Sequence, residues 1–152
     1  MAWMVVRVRG GLHARGDIVQ TMHFLHLTRP NHATVVPEDP EFRGMLTKVQ
    51  GYVTWGEVDQ ETLTLLLKER ARDAEGRALT GTSVGEDAPQ RDLPELAKRA
   101  MEVGLSRVAE VRPLLRLNAP KGGWRSTKKP FAQGGALGYR GTAINDLARR
   151  MV

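Results

Sequence analysis

Apolar and polar positions alternate in two different periods along the first third of the chain. Trp3 to Val8 reads as a strand, with Val5, Val6 and Val8 supplying β-branched side chains around Arg7. Gly10, Gly11 and Gly16 interrupt it. Asp17 with Gln20 three residues later predicts a capped helix start. Ile18, Met22 and Leu25 then recur at helical spacing, which carries the helix to about Leu27 before Pro30 stops it. Ala33 to Val36 predicts a second strand. Asp39 and Pro40 open a second helix as N-cap and first helical residue, lined by Phe42, Met45, Leu46, Val49 and Val53. Gly51 is expected as its left-handed terminator, ahead of a third strand over Tyr52–Trp55. The order is β-α-β-α-β.

The middle of the chain is helical in period. Asp59 opens a helix carrying Leu63, Leu66 and Leu67, which fades over Arg70–Gly76. Residues 76–91 lack a period. Asp92 and Glu95 form a second capping pair ahead of Leu93, Leu96, Ala97, Ala100 and Met101, and Gly104 ends that helix. Val111–Leu117 is a strand candidate that Pro113 confines to an edge. From 118 to 141 no hydrophobic period exists, so the segment is expected as an extended arm whose apolar burial cannot offset its own ordering cost. Thr142 then caps a short helix with Ile144, Leu147, Ala148 and Met151 facing inward. Three segments follow: a core over 1–58, a helical extension over 59–110, and an edge strand, arm and terminal helix over 111–152.

Charge changes the picture. The 152 residues hold 23 Lys and Arg against 17 Asp and Glu, and the excess is unevenly placed. Residues 1–57 net +1, residues 58–111 net −3 and residues 112–152 net +8. No acidic residue occurs between Glu110 and Asp146. The 118–141 stretch combines six glycines and five Lys/Arg with Trp124, Phe131 and Tyr139 spaced through it. Cations attract phosphates, rings stack on unpaired bases, and glycine lets the backbone come close. This composition points to nucleic acid, and to folded RNA rather than DNA, since no helix presents a base-reading face. A membrane segment would need one broad apolar helical face. With no cysteine there is no disulfide frame or thiolate chemistry. The absence of a long apolar run or an evident signal sequence makes cytoplasmic the default expectation.

Enzymatic motifs fail on context. Gly81-Thr82-Ser83-Val84-Gly85 has the spacing of a nucleophile elbow, but no buried strand precedes it and every histidine lies at or before position 32. His23 and His26, with His13 and His32 nearby, lack carboxylate or thiolate companions at metal-ligand spacing and are expected to face solvent or RNA. Lys121-Gly122-Gly123 lacks the ending of a nucleotide loop. Asp39/Glu41 and Glu57/Asp59 are better explained by helix N-termini. No cofactor, metal or catalytic residue is expected. Two other readings stay open: a small-molecule-binding module, and a free RNA chaperone or regulator.

Several blocks carry a family resemblance. They are Val6-Arg7-Val8-Arg9-Gly10, Leu27-Thr28-Arg29-Pro30-Asn31-His32, Gly44-Met45-Leu46-Thr47-Lys48-Val49 and Tyr52-Val53-Thr54-Trp55-Gly56-Glu57. Near the C-terminus come Pro120-Lys121-Gly122-Gly123, Lys128-Lys129-Pro130, Gly134 to Gly141 and Ile144-Asn145. In order and spacing the sequence resembles the large-subunit ribosomal protein thirty family in its longer archaeal form. The resemblance implies an α+β fold: a ferredoxin-like β-α-β-α-β core with a helical insertion and an extended basic C-terminal arm. It implies a non-enzymatic constituent of the cytoplasmic large ribosomal subunit, without a cofactor, bound to large-subunit rRNA and near 5S rRNA, among neighbouring ribosomal proteins. Carried over, the RNA-facing positions are Arg7, Arg9, Arg29, Asn31, His32, Arg43 and Lys48 in the core. In the extension they are Lys121, Arg125, Lys128, Lys129, Tyr139 and Arg140.

Overall fold

A computed structural model describes residues 2–72, 93–108 and 111–152. Six strands form one sheet in the order β4-β2-β1-β3-β6-β5. They are β1 (Ala2–Arg7), β2 (His32–Pro37), β3 (Val53–Val58), β4 (Leu115–Arg116), β5 (Ser126–Pro130) and β6 (Gly135–Tyr139). The helices are α1 (Gly16–Phe24), α2 (Pro40–Lys48), α3 (Gln60–Arg70), α4 (Leu93–Val103) and α5 (Ala143–Met151). β1 lies antiparallel between β2 and β3, so β2-α2-β3 is a split crossover around a central strand. This is the ferredoxin-like arrangement expected from the resemblance.

Both sheet faces are covered, which explains the dense apolar runs. Val5, Val36, Val53 and Trp55 pack with Met22, Leu25, Leu46 and Val49 from the α1/α2 side. Ala2, Met4, Val6, Ala33, Val35 and Val58 pack with Leu63, Leu66, Leu67, Leu96, Ala97, Ala100, Ile144, Leu147 and Met151. The inward faces expected for α3, α4 and α5 are therefore present. α5 begins close against β3, where a Cβ on Gly56 would collide with the Gly141 carbonyl. Gly104, at φ 90°, ends α4 as expected.

Helix ends differ from the sequence expectation. Arg15, not Asp17, is the N-cap of α1, and no side chain caps it. Asp17 instead accepts from the next amide, Ile18 N, at 3.0 Å. The helix stops before Pro30 acts. His26 takes φ 60°, with His26 N donating to His23 O at 2.9 Å and Leu27 N to Met22 O at 2.9 Å. That pair of bonds is a Schellman ending with histidine in the left-handed position. α2 starts at Asp39 and Pro40 as expected, but ends through Val49, so Gly51 sits in the following turn instead. Asp59 does cap α3, accepting from Thr62 N at 2.6 Å. Asp92 and the Gly81–Gly85 motif lie outside the described residues.

The larger correction concerns the expected arm. β6 pairs in parallel with β3, Thr54 opposite Gly138 and Trp55 opposite Tyr139, and β5 pairs with β6. Ala136 and Leu137 are buried with Val8, and Trp124 packs beside them. The arm thus becomes two sheet strands over much of its length. Backbone bonding to β3 offsets the ordering cost that scarce apolar area leaves unmet, and the interspersed glycines hide the strand period. Of the Val111–Leu117 candidate only Leu115–Arg116 is strand, at the edge opposite β5.

Candidate nucleic-acid interface

Strand directions bring three connections to one end of the sheet. Val6 faces Ala33 and Arg7 faces Val53, so the end of β1 meets the starts of β2 and β3. The segments 8–15, 25–31 and 49–52 therefore converge, and none of their residues is acidic. β4 extends the same end, with Arg116 opposite His32.

Arg7 organises this end from within. It is 6% exposed, its Nε donates to Arg9 O at 2.9 Å and its Nη1 to Leu27 O at 2.7 Å. Its main-chain carbonyl accepts from Asn31 N at 2.8 Å, and Leu117 N donates to Asn31 O at 3.1 Å. One guanidinium thus ties the loop after β1 to the loop before β2. Burial lowers the Arg7 pKa. Asn31 itself takes φ 68°, and its Oδ1 is buried without a partner among the described residues.

Around this hub Arg9 and Arg29 are exposed, and Arg9 also lies 5.3 Å from the centre of the Tyr52 ring. His32 is half-buried, its Nδ1 3.3 Å from Thr28 Oγ1. Burial first, then the Arg116, Arg29 and Arg7 charges, pushes its pKa below the ordinary histidine value. Lys48 and Arg15 share Asp17 at 3.6 and 3.1 Å. Arg15 and Arg116 join the cationic end although neither was among the expected site residues. The exposed Arg116 between buried Leu115 and Leu117 is a strand alternation that marked it as outward.

Other expected residues fall elsewhere. Arg43 sits midway along α2. Lys128 and Lys129 are exposed on edge strand β5, a placement that also discourages strand-to-strand aggregation. Tyr139 is 52% exposed, but its phenol donates to Glu57 Oε1 at 2.5 Å and its ring lies 6.3 Å from Trp55. That bond, more than burial, raises its pKa. Arg140 is 8% exposed; its Nε donates to Thr54 Oγ1 at 2.7 Å and its Nη2 to Ala136 O at 2.8 Å. Arg7 and Arg140 therefore depart from the expected surface positions: Arg7 lies on a central strand of a sheet covered on both faces, and Arg140, just past β6, turns back onto Thr54 and Ala136. Lys121 and Arg125 flank the turn after β4 and are exposed. Among the described residues no group of three or more His, Asp or Glu is placed to hold a metal.

Comparison with known proteins decides the ancestry. A profile of the Ribosomal protein L30p/L7e family matches residues 3–53. The large ribosomal subunit protein uL30 of Methanosphaera stadtmanae is 38% identical over 151 residues, covering 99% of each chain. The chain belongs to the uL30 family. The uL30 of Methanopyrus kandleri is 41% identical over 149 residues, covering 95% of this chain and all of that one. The uL30 of Thermoplasma acidophilum is 40% identical over 150 residues, 97% of this chain and 91% of that one. The likeness to archaeal uL30 thus extends through α3–α5 and β4–β6, well past the profile match.

Proposed function

We propose that the chain is a structural, non-enzymatic constituent of the cytoplasmic large ribosomal subunit that binds and stabilises folded large-subunit rRNA, with 5S rRNA nearby. The observation that carries this is the convergence of the exposed Arg9, Arg29 and Arg116 at one sheet end whose connecting segments hold no carboxylate, with Arg15 and Lys48 beside them on Asp17. Each cation can neutralise a phosphate and release condensed counterions. Loops held by Arg7 present those charges at fixed separations, which suits recognition of RNA shape over base edges. Family membership supplies the assembly context: the relatives are named as large ribosomal subunit proteins.

The test is cosedimentation with large subunits after a high-salt wash. One copy per subunit is expected, with cross-links from the 8–15 and 25–31 loops to large-subunit rRNA. Complete release, with the protein free or on other RNAs, would favour a chaperone or regulator instead. A 5S cross-link would establish the finer placement. For the rival of a metabolite-binding module, the described residues offer an open groove of about 550 Å³ at the opposite sheet end, lined by Pro37, Glu38, Asp39, Gln60, Lys98, Met101 and Glu102. Its lining is mixed in charge and shallowly polar, without the convergent groups of a substrate site.

A further inference from the structure

We propose that Leu12 is a further RNA-contacting residue, held by the turn Gly11–Ala14 against the face of an unpaired rRNA base. The inference rests on the RNA-binding reading and adds an apolar contact to its cations. Among the described residues five large apolar side chains are exposed, and three of them, Leu12, Val19 and Phe24, lie in the loop after β1 and in α1. Single exposed leucines are ordinary on a protein surface, whereas a concentration of apolar groups marks a place of contact. Leu12 and Val19 are also close in space, since a Cβ on Gly11 would lie 3.9 Å from Val19 Cγ2.

The turn that carries Leu12 is pinned. Ala14 N donates to Gly11 O at 3.0 Å and His13 takes φ 62°, the pattern of a type II turn. Leu12 is its second residue and is 84% exposed. Ahead of the turn, Val8 N and Arg9 N both donate to Tyr52 O, at 2.9 and 3.1 Å. Behind it, Val19 N donates to Arg15 O at 3.1 Å as α1 begins. Beneath it, a Cβ on Gly11 would come within 2.9 Å of Arg7 Nη2, and that guanidinium is tied to Arg9 O and Leu27 O. The leucine is thus presented from a fixed tip, so that little is left to order when a partner covers it.

Its surroundings select the occupant. Arg9 and Arg15 stand on either side of the turn in the chain, and both are exposed. The converging segments 8–15, 25–31 and 49–52 hold no carboxylate, and Asp17, the nearest acid in the sequence, is engaged by Arg15 and Lys48. An apolar protein surface would cover the leucine but strip water from cations it does not neutralise. RNA supplies both partners, phosphates for the arginines and, where a base is unstacked, a flat apolar face. Leucine is among the side chains that nucleic-acid-binding proteins place against base steps. Gly10 and Gly16 bracket the turn, both exposed, with nothing within 4 Å of the place a Cβ would take. Bare backbone on each side lets a flat partner lie close.

The test separates an apolar contact from a charged one. Affinities of the full-length wild type, Leu12→Ala and Leu12→Met for large-subunit rRNA would be measured across salt concentrations, with a thermal melt of each protein. Leu12→Ala is expected to bind roughly tenfold more weakly at every salt concentration. The slope of log affinity against log salt should stay at the wild-type value, because no phosphate contact is lost. The melting temperature should not move, and Leu12→Met should restore most of the affinity. An Ala variant within about twofold of wild type would overturn the proposal. So would a loss accompanied by a shallower slope or a lower melting temperature, or an equal loss in the Met variant. A second arm places a photoreactive diazirine side chain at position 12 and incorporates the protein into large subunits. Cross-linking to an rRNA nucleotide is expected. Cross-linking to a neighbouring protein, or to nothing, would overturn the proposal. Failure of the wider reading looks different: wild-type protein would then show no salt-sensitive rRNA binding at all.

Discussion

Arg7 shows why a cation's place cannot be read from composition. It occupies a central strand covered by helices on both faces, so its side chain has no outward direction. That constraint was present in the strand pattern, but the second covering layer was needed to make it decisive. Replacement by Met would leave Leu27 O and Arg9 O without their donor. The expected loss is about 2–3 kcal/mol, lowering the melting temperature by roughly 5–10 °C. A melt within a degree of wild type would show that the hub is dispensable. His26 makes the complementary point, since a left-handed histidine in a helix ending carries no sequence signal comparable to glycine. His26→Gly should be neutral or stabilising by up to about 1 kcal/mol, whereas His26→Val should cost about 1–2 kcal/mol in chemical denaturation. His32 adds a pH test. Its folded pKa lies below the ordinary value, so the unfolded chain takes up its proton first and stability falls as pH drops from above 6.5 toward the folded pKa. A phosphate nearby favours the protonated form. RNA affinity should therefore rise over that same interval, and an NMR titration of the His32 ring should move to higher midpoint on binding.

At the scale of elements, the first 58 residues were legible because strand and helix periods alternate cleanly there. β5 and β6 were not, because Gly135, Gly138 and the lysines of β5 remove the alternation that marks a strand. Their order comes from pairing with β3, an interaction with no local trace. Arg140 N, for instance, donates to Trp55 O at 2.9 Å, eighty-odd residues back along the chain. Hydrogen exchange on the free protein gives the matching prediction. The β6 amides paired with β3 should be protected nearly as well as those of β1, while the exposed Gly122 amide, between the hydrogen-bonded amides of Lys121 and Gly123, exchanges fast. Rapid exchange through all of 118–141 would restore the picture of an arm that orders only on RNA.

The whole molecule is electrically lopsided in a way that follows from topology. β2 ends at Pro37 and β3 at Val58, both level with Ala2, so Glu38, Asp39, Glu57 and Asp59 gather at the end opposite Arg9, Arg29 and Arg116. Sequence segments do not reveal this: residues 1–57 net only +1 because both ends fall within them. An RNA approaching either end meets opposite fields, so the basic end should account for the salt dependence of binding to the core. Replacing Arg9, Arg29 and Arg116 together by Ala should reduce the salt slope by roughly 2–3, at about 0.7–0.9 for each phosphate no longer neutralised. Lys98→Ala, at the acidic end, should leave the slope where it was. An equal reduction from both variants would mean that net charge, and not the arrangement of the loops around Arg7, governs binding. A reduction confined to the triple variant, with wild-type melting behaviour, would place the RNA at the end where the three connections meet.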